Sequence, residues 1–346
     1  MKKLILFITV TTFFSYSGAN GQSVRLTGLQ SDHLETPIGI DNPAPRLSWR
    51  MDDCRQGAKQ TSYRVLVDKD SMKVVNGKAD IWDTGKINSG DMLITYAGKQ
   101  LEPFAKYYWK VIGGDLENKE VSSPVSSFET GMMDIKNWQG AWIGDGKDIN
   151  YEAAPYFRKK FATNKTIKSA RAYIAVAGLY ELYINGEKIG NHRLDPMYTR
   201  FDRRNLYVTY DVTEQLRNGQ NAIGVLLGNG WYNHQSKAVW DFDRAPWRNR
   251  PTFCMDLRIT YSDGTVETIP TDLSWKTSLG ALIFNSIYTG EHYDARLEQK
   301  GWNTPDFDDS KWHGVGFRGV PSQNVKAQQI RPIHNVLTLP AKSFNK

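Results

Sequence analysis

The sequence predicts an all-β protein built as two consecutive sandwiches, and three observations carry that reading. Its 346 residues leave room for two ordinary domains, since compact domains run to roughly 100–200 residues each. Short apolar runs with a period of two recur along the chain, separated by turn chemistry. From Gln22 to Gly131, moreover, nothing has the three-to-four residue apolar spacing of a long helix.

In chain order, the opening 21 residues differ in kind from the rest. Lys2 and Lys3 precede an apolar run from Leu4 to Phe14, and Ala19, Asn20 and Gly21 offer the small residues that a signal peptidase accepts. They predict a cleaved secretory signal and a periplasmic or secreted product. The apolar run is well short of the ~20 residues that span a bilayer, so no stable membrane insertion is expected. No cysteine follows it to carry a lipid anchor.

Residues 22–131 form the first predicted sandwich, with strand-like runs at Leu47–Trp49, Tyr63–Val67, Ile81–Trp82, Tyr107–Val111 and Phe128–Thr130. Leu101–Tyr107, LEPFAKY, looks like the fibronectin type III corner in which a tyrosine bonds back to the backbone, with Trp49 as the core tryptophan. Residues 132–321 form the second, a jelly-roll, galactose-binding-like sandwich of two packed sheets. Tyr180, Leu182 and Ile184 alternate with Glu181 and Tyr183, and Asn185-Gly186 supplies a two-residue hairpin turn before Glu187–Ile189 returns. Leu206–Tyr210 alternates again, after which Asp211 or Thr213 is expected to cap one helical turn ended by Gly219. Asn221–Leu227 is a nearly all-apolar strand, and Phe253–Tyr261 turns at Ser262-Asp263-Gly264 into Val266–Ile269. Phe307–Ser310 reads as a short capped turn. Residues 322–346 turn polar and read as the start of a linker that breaks off.

Composition narrows the function classes. Without Lys2 and Lys3 the 44 Lys+Arg become 42 against 37 Asp+Glu, a formal +5 spread along the chain, which is too mild to argue for nucleic acid. Cys54 and Cys254 lie far apart and are expected to be buried small hydrophobes, not a disulfide framework. The 11 Trp and 17 Tyr carry more information, because aromatic faces stack on sugar C–H faces as well as filling cores.

Several segments together resemble bacterial α-L-rhamnosidases of glycoside hydrolase family 78. They are QTSYRV at 60–65, IWDTG at 81–85, FETG at 128–131, YELYING at 180–186, YDVT at 210–213, LGNGWY at 227–232 and GEHYDAR at 290–296. The resemblance covers the amino-terminal, non-catalytic part of that family. It implies rhamnose-containing carbohydrate as the partner and a catalytic (α/α)6 barrel encoded beyond Lys346. An inverting glycosidase needs two carboxyl groups roughly 6.5–9.5 Å apart. The densest acidic group, Asp306, Asp308 and Asp309, reads better as turn capping, so no catalytic residue is assigned.

Asn229, Trp231 and Tyr232 are the leading sugar-binding candidates, since Gly228 and Gly230 permit a tight turn that would present an indole and an amide at a strand end. Trp240 and Trp247, with Asp241, Asp243 and Arg244, extend that loop, which from Gly228 to Pro251 is long for a simple connection. A cover over the sandwich edge, or a contact surface for a barrel, is the competing reading. His33, His192, His234, His292, His313 and His334 show no metal-ligand spacing, so zinc is unsupported. The resemblance does imply calcium in some members, whose second sandwich resembles a lectin-like module that binds L-rhamnose through it. Asp195, Asp202 and Asn205 lie in the loop nearest such a site, with ordinary turn formation as the alternative. The leading reading is thus the carbohydrate-binding or supporting region of a secreted α-L-rhamnosidase. A free-standing carbohydrate-binding protein and a structural spacer are the alternatives.

Overall fold

A computed structural model describes residues 24–237 and 240–343, so the expected signal peptide at 1–21 lies outside the described residues. The protein is all-β: a fibronectin type III-like sandwich followed by a jelly-roll sandwich. Ser71–Val75 is the one α-helix among the described residues, started by Asp70, whose carboxylate accepts the Met72 N–H at 2.8 Å.

In the first sandwich, a three-stranded sheet (Arg25–Ser31, Arg46–Asp52, Leu93–Thr95) faces a five-stranded one. The latter centres on Ser62–Asp68 and Lys106–Gly114. Alternation sends Tyr63, Val65 and Val67 inward to meet Trp49, Tyr107, Trp109 and Phe128. Trp49 is buried as expected, and its indole N–H donates to Gln60 Oε1 at 2.8 Å. The Tyr107 hydroxyl accepts the Glu102 N–H at 2.9 Å, which makes the expected corner. Cys254 is buried, but Cys54 is exposed, because it sits on the turn past Arg46–Asp52 that Asp53 and Arg55 organise.

The second sandwich packs a six-stranded sheet on a seven-stranded one. The first orders Glu187–Lys188, Leu179–Ile184, Gly219–Gly228, Pro155–Thr163, Lys276–Leu279 and His313–Gly314. The second centres on Thr252–Tyr261, Ile167–Ala177 and Asn205–Asp211. Between them lies a continuous core that includes Phe157, Ile174, Val225, Phe253 and Trp275. The Asn185-Gly186 hairpin forms as predicted, with both residues at positive φ (52° and 90°) and Ile184 paired to Glu187. Two further expectations fail. Residues after Asp211 make a hydrogen-bonded turn instead of a helical one, because the Asp211 carboxylate holds both the N–H and the hydroxyl of Thr213. The stretch read as linker is partly built in: Val325–Ala327 pairs in parallel with Asn205–Asp211, and Ile333–His334 pairs with His192–Arg193.

The sandwiches meet on the outer face of Asn205–Asp211. Buried Tyr207 donates its hydroxyl to Asp41 Oδ1 at 2.5 Å and accepts the Met132 N–H at 2.9 Å. Asp41 also accepts the Met133 N–H at 2.7 Å and the Ala327 N–H at 2.8 Å. Beside it, Arg171 clasps Glu129 through two bonds of 2.7 and 2.8 Å. Gly39, at φ 80°, lets the chains approach, for a Cβ there would run into the Thr209 side chain. On the same sheet Asp256 is buried and accepts the N–H groups of Gln139 and Gly140, each at 2.8 Å, which fixes the entry to the second sandwich. Burial pushes its pKa up to about 6 despite those donors.

Two outcomes follow. Tyr207→Phe leaves a buried N–H and removes one donor from Asp41, so urea unfolding should show a loss of about 1–3 kcal/mol; an unchanged midpoint would contradict the junction described. Asp256 retains its proton in the folded state at pH values where the unfolded chain has released it. Its contribution therefore falls as pH rises from about 4 to about 6. Over that window Asp256→Asn should remove a decline worth roughly 3 kcal/mol, read as the difference between wild-type and variant stability profiles.

Candidate functional site

The candidate loop leaves strand Gly219–Gly228 of the six-stranded sheet and enters the seven-stranded sheet at Thr252–Tyr261. Gly230 takes φ 51° and lies so close to Leu179 that a Cβ would sit 2.8 Å from its Cγ. That tight turn splits the predicted residues between interior and surface. Asn229 is buried: its N–H donates to Asn285 Oδ1 at 2.6 Å and its side-chain amide to the Asn285 carbonyl at 3.1 Å. Tyr232 is buried edge-on to Phe201, with ring centroids 5.0 Å apart, and burial pushes its phenol up to about 12. These two hold the loop and present nothing to solvent.

Trp231 is half-buried and Trp240 is 71% exposed. Around Trp231 stand His234, stacked at 5.8 Å and 26°, Tyr288 edge-on at 5.3 Å and Phe242 tilted at 4.9 Å. Tyr198 and Tyr288, which are about half exposed, join the loop's aromatic residues in a partly solvent-exposed patch. Beneath it His234 is 1% exposed, and neither ring nitrogen has a hydrogen-bond partner among the described residues. Burial pushes its pKa down, so the imidazole is neutral at pH 7. Uncharged rings around a neutral imidazole suit an uncharged, C–H-rich ligand.

The residues proposed for calcium do not fit it. The buried carboxylate of Asp195 is engaged by His192 Nδ1 at 2.6 Å, Gln328 Nε2 at 3.2 Å and the Tyr210 hydroxyl at 3.3 Å. Asp202 is paired with Arg200 at 2.9 Å. Asn205, fully buried, donates its amide to the Phe201 carbonyl at 3.3 Å. Calcium needs six or more oxygen ligands converging on one point, whereas the two carboxylates serve different protein partners and only the buried Asn205 Oδ1 is left without one among the described residues. Among the described residues no group of three or more His, Cys, Asp or Glu could hold a metal ion. Nor does the acidic cluster make a catalytic pair. Asp309 binds Arg158 and Lys276, and Asp308 caps the Ser310 N–H at 3.0 Å.

Sequence reasoning missed His234, Tyr198, Phe242 and Tyr288 as parts of the patch. His234 had a local signal, three residues beyond Trp231. Tyr288 comes from the hairpin Leu282–Ser286 and Gly290–Tyr293, whose arrival beside the loop is a long-range event.

Residues 165–336 match the family described as α-L-rhamnosidase N-terminal domain, and residues 26–134 match the Rha78A-like, N-terminal immunoglobulin domain. An α-L-rhamnosidase of Formosa agariphila is 34% identical, over 96% of this chain and 38% of that protein. One from Alteromonas sp. (strain LOR) is 32% identical, over 98% and 38%. The solved α-L-rhamnosidase from Dictyoglumus thermophilum superimposes with a TM-score of 0.81 at 39% identity, covering 88% of this chain and 35% of that one. The Streptomyces avermitilis enzyme, solved with L-rhamnose, shares the fold at a TM-score of 0.85 and 22% identity, over 92% of this chain and 47% of that one. The chain thus spans about 38% of the length of these curated relatives.

Asn229→Ala should lower stability by about 1–3 kcal/mol in thermal or urea unfolding, because it deletes buried hydrogen bonds that pin the loop to Asn285. A silent substitution would mean that the loop is held by its aromatic contacts alone.

Proposed function

This chain belongs to the α-L-rhamnosidase family through two of its amino-terminal domains, and from that membership we propose that it binds carbohydrate for, and supports, an α-L-rhamnosidase acting on rhamnose-containing glycans. Export to the periplasm or the exterior after loss of residues 1–21 belongs to the same reading. The observation that carries it is the extent of the match: nearly all of this chain aligns with relatives of which it spans 38%. In this reading hydrolysis falls to a catalytic domain outside these two sandwiches.

The binding part of the proposal rests on the loop patch. In this reading a pyranose packs its C–H face against the accessible part of the half-buried Trp231 indole, with Tyr288 beside that ring and the exposed Trp240 elsewhere on the same loop. Asn229 and Tyr232 act from beneath by holding the turn. Stacking of this kind contributes on the order of 1 kcal/mol, which fits weak, millimolar recognition by an accessory region. No step in this account needs calcium.

Purified mature chain should release no rhamnose from aryl rhamnosides; turnover abolished by a single carboxylate substitution would sink the division of labour. In calorimetric titration with L-rhamnose, Trp231→Ala should weaken binding several-fold with an unchanged far-ultraviolet spectrum, and a chelator should leave the affinity as it was. A complete absence of saturation at high millimolar sugar would reduce the role to support.

A further inference from the structure

A second surface of the jelly roll has the chemistry of a binding site and is separate from the Trp231 patch. It is a cleft of about 480 Å³ on the outer face of the six-stranded sheet, a size within the range of small-molecule sites. Strand alternation creates it. In Leu179–Ile184 the residues Tyr180, Leu182 and Ile184 go to the core, so Leu179, Glu181 and Tyr183 face the cleft. On the neighbouring strand Gly224 carries no side chain, and a Cβ there would come within 2.7 Å of the Trp302 ring. The indole can therefore lie down on the sheet, stacked on Tyr156 at 4.7 Å and 23°, with Tyr183 edge-on at 5.5 Å. The result is a rigid aromatic floor.

The rim supplies polar groups of both signs. Glu181 and Glu291 offer carboxylates, and Lys188 and Arg193 offer donors. Glu181 is tied to Lys188 and to the Tyr183 hydroxyl, so its position is set. Tyr293 is 56% exposed while its hydroxyl is bound to Glu298, which fixes the ring and leaves a face free. Equal numbers of carboxylates and cations give no net pull on phosphate or on polyanions.

One atom points to a ligand independently of the cleft's shape. Asn285 lines the cleft and is only 8% exposed, and its Oδ1 accepts the Asn229 N–H at 2.6 Å. That bond fixes the orientation of the amide, and its Nδ2 is left with no partner among the described residues. A buried N–H without an acceptor costs about 1–3 kcal/mol, which an acceptor on a bound molecule would recover. Sugar hydroxyls answer all three features at once: they accept from Asn285, Lys188 and Arg193, donate to the two glutamates, and leave a C–H face for an aromatic ring.

We propose that this cleft is a second carbohydrate subsite, taking an uncharged pyranoside between Tyr293 and the sheet, with Asn285 Nδ2 donating to one of its hydroxyls. The ligand class rests on the carbohydrate reading above, but the location does not depend on Trp231.

The test titrates the full mature chain with methyl glycosides of L-rhamnose, D-galactose and D-glucose by calorimetry and by saturation-transfer NMR. Tyr293→Ala removes an exposed ring and should weaken one binding event about five-fold or more. Asn285→Asp keeps the acceptor for the Asn229 N–H while turning the free donor into an acceptor, and it should weaken the same event, whereas Trp231→Ala leaves it intact. If Asn285→Asp fails to fold, Tyr293→Ala decides alone. Binding lost in Trp231→Ala and untouched by Tyr293→Ala would overturn the cleft while leaving the carbohydrate reading in place. No saturation by any of the three glycosides would overturn both.

Discussion

The geometry of the whole molecule depends on one buried carboxylate. Asp41 sits in a seam between two sandwiches, where an ionised group is costly unless its lone pairs are filled. Three donors fill them: the Tyr207 hydroxyl and the backbone N–H groups of Met133 and Ala327. They come from the second sheet, from the connection between the sandwiches and from the last edge strand. The carboxylate is thus satisfied only when all three are in place. Burial and the adjacent Asp41 charge also push the Tyr207 phenol well up, which keeps it a donor at every physiological pH. The neighbouring Arg171–Glu129 pair, and Arg258 lying 4.4 Å over the Phe104 ring, extend the seam with contacts of the same cross-sandwich kind.

This seam explains why the chain past residue 321 is structured. The edge of Asn205–Asp211 would otherwise present unpaired backbone groups, and Val325–Ala327 fills that edge while delivering the Ala327 N–H to Asp41. Nothing local in a polar stretch with few apolar residues announces such a pairing, because the reason for it lies more than a hundred residues away. Features whose cause is local were readable. The Asn185-Gly186 turn needs positive φ at two adjacent residues, and the Tyr107 corner needs a tyrosine a few residues after a bend. The turn after Asp211 shows the limit even there, since a side chain able to cap a helix can equally close a turn without one.

The candidate site divides along the same line. The sequence indicated that Gly228 and Gly230 would bend the chain at a strand end, and they do. It could not say which side chains the bend would expose. Asn229 and Tyr232 turned inward because a buried turn has backbone groups to satisfy and a cavity beside Phe201 to fill, whereas Trp231 and Trp240 were left at the surface. The face of the six-stranded sheet was hidden in a different way. Glu181 and Tyr183 were visible as the outward half of an alternating strand, yet polar outward residues are what any solvated strand carries. Only Gly224, Trp302 and the hairpin that brings Asn285 and Tyr293 make that face concave.

Asn229 and Asn285 join the two surfaces. The Asn229 N–H fixes which way the Asn285 amide points, and the Asn229 side chain grips the Asn285 carbonyl at 3.1 Å. The loop that carries Trp231 and the hairpin that carries Tyr288 and Tyr293 are therefore held in register by this buried pair, together with the packing of Tyr288 on Trp231 and His234. Tyr288 packs on Trp231 on one side of that pair, while Asn285 lines the cleft on the other. The aromatic patch and the cleft consequently cannot shift independently: a displacement of the Gly228–Gly230 turn moves the Asn285 amide with it. The spacing between the two surfaces is set by hydrogen bonds with little freedom in length or angle, and it is fixed to the same core that Tyr207 and Asp41 lock against the first sandwich.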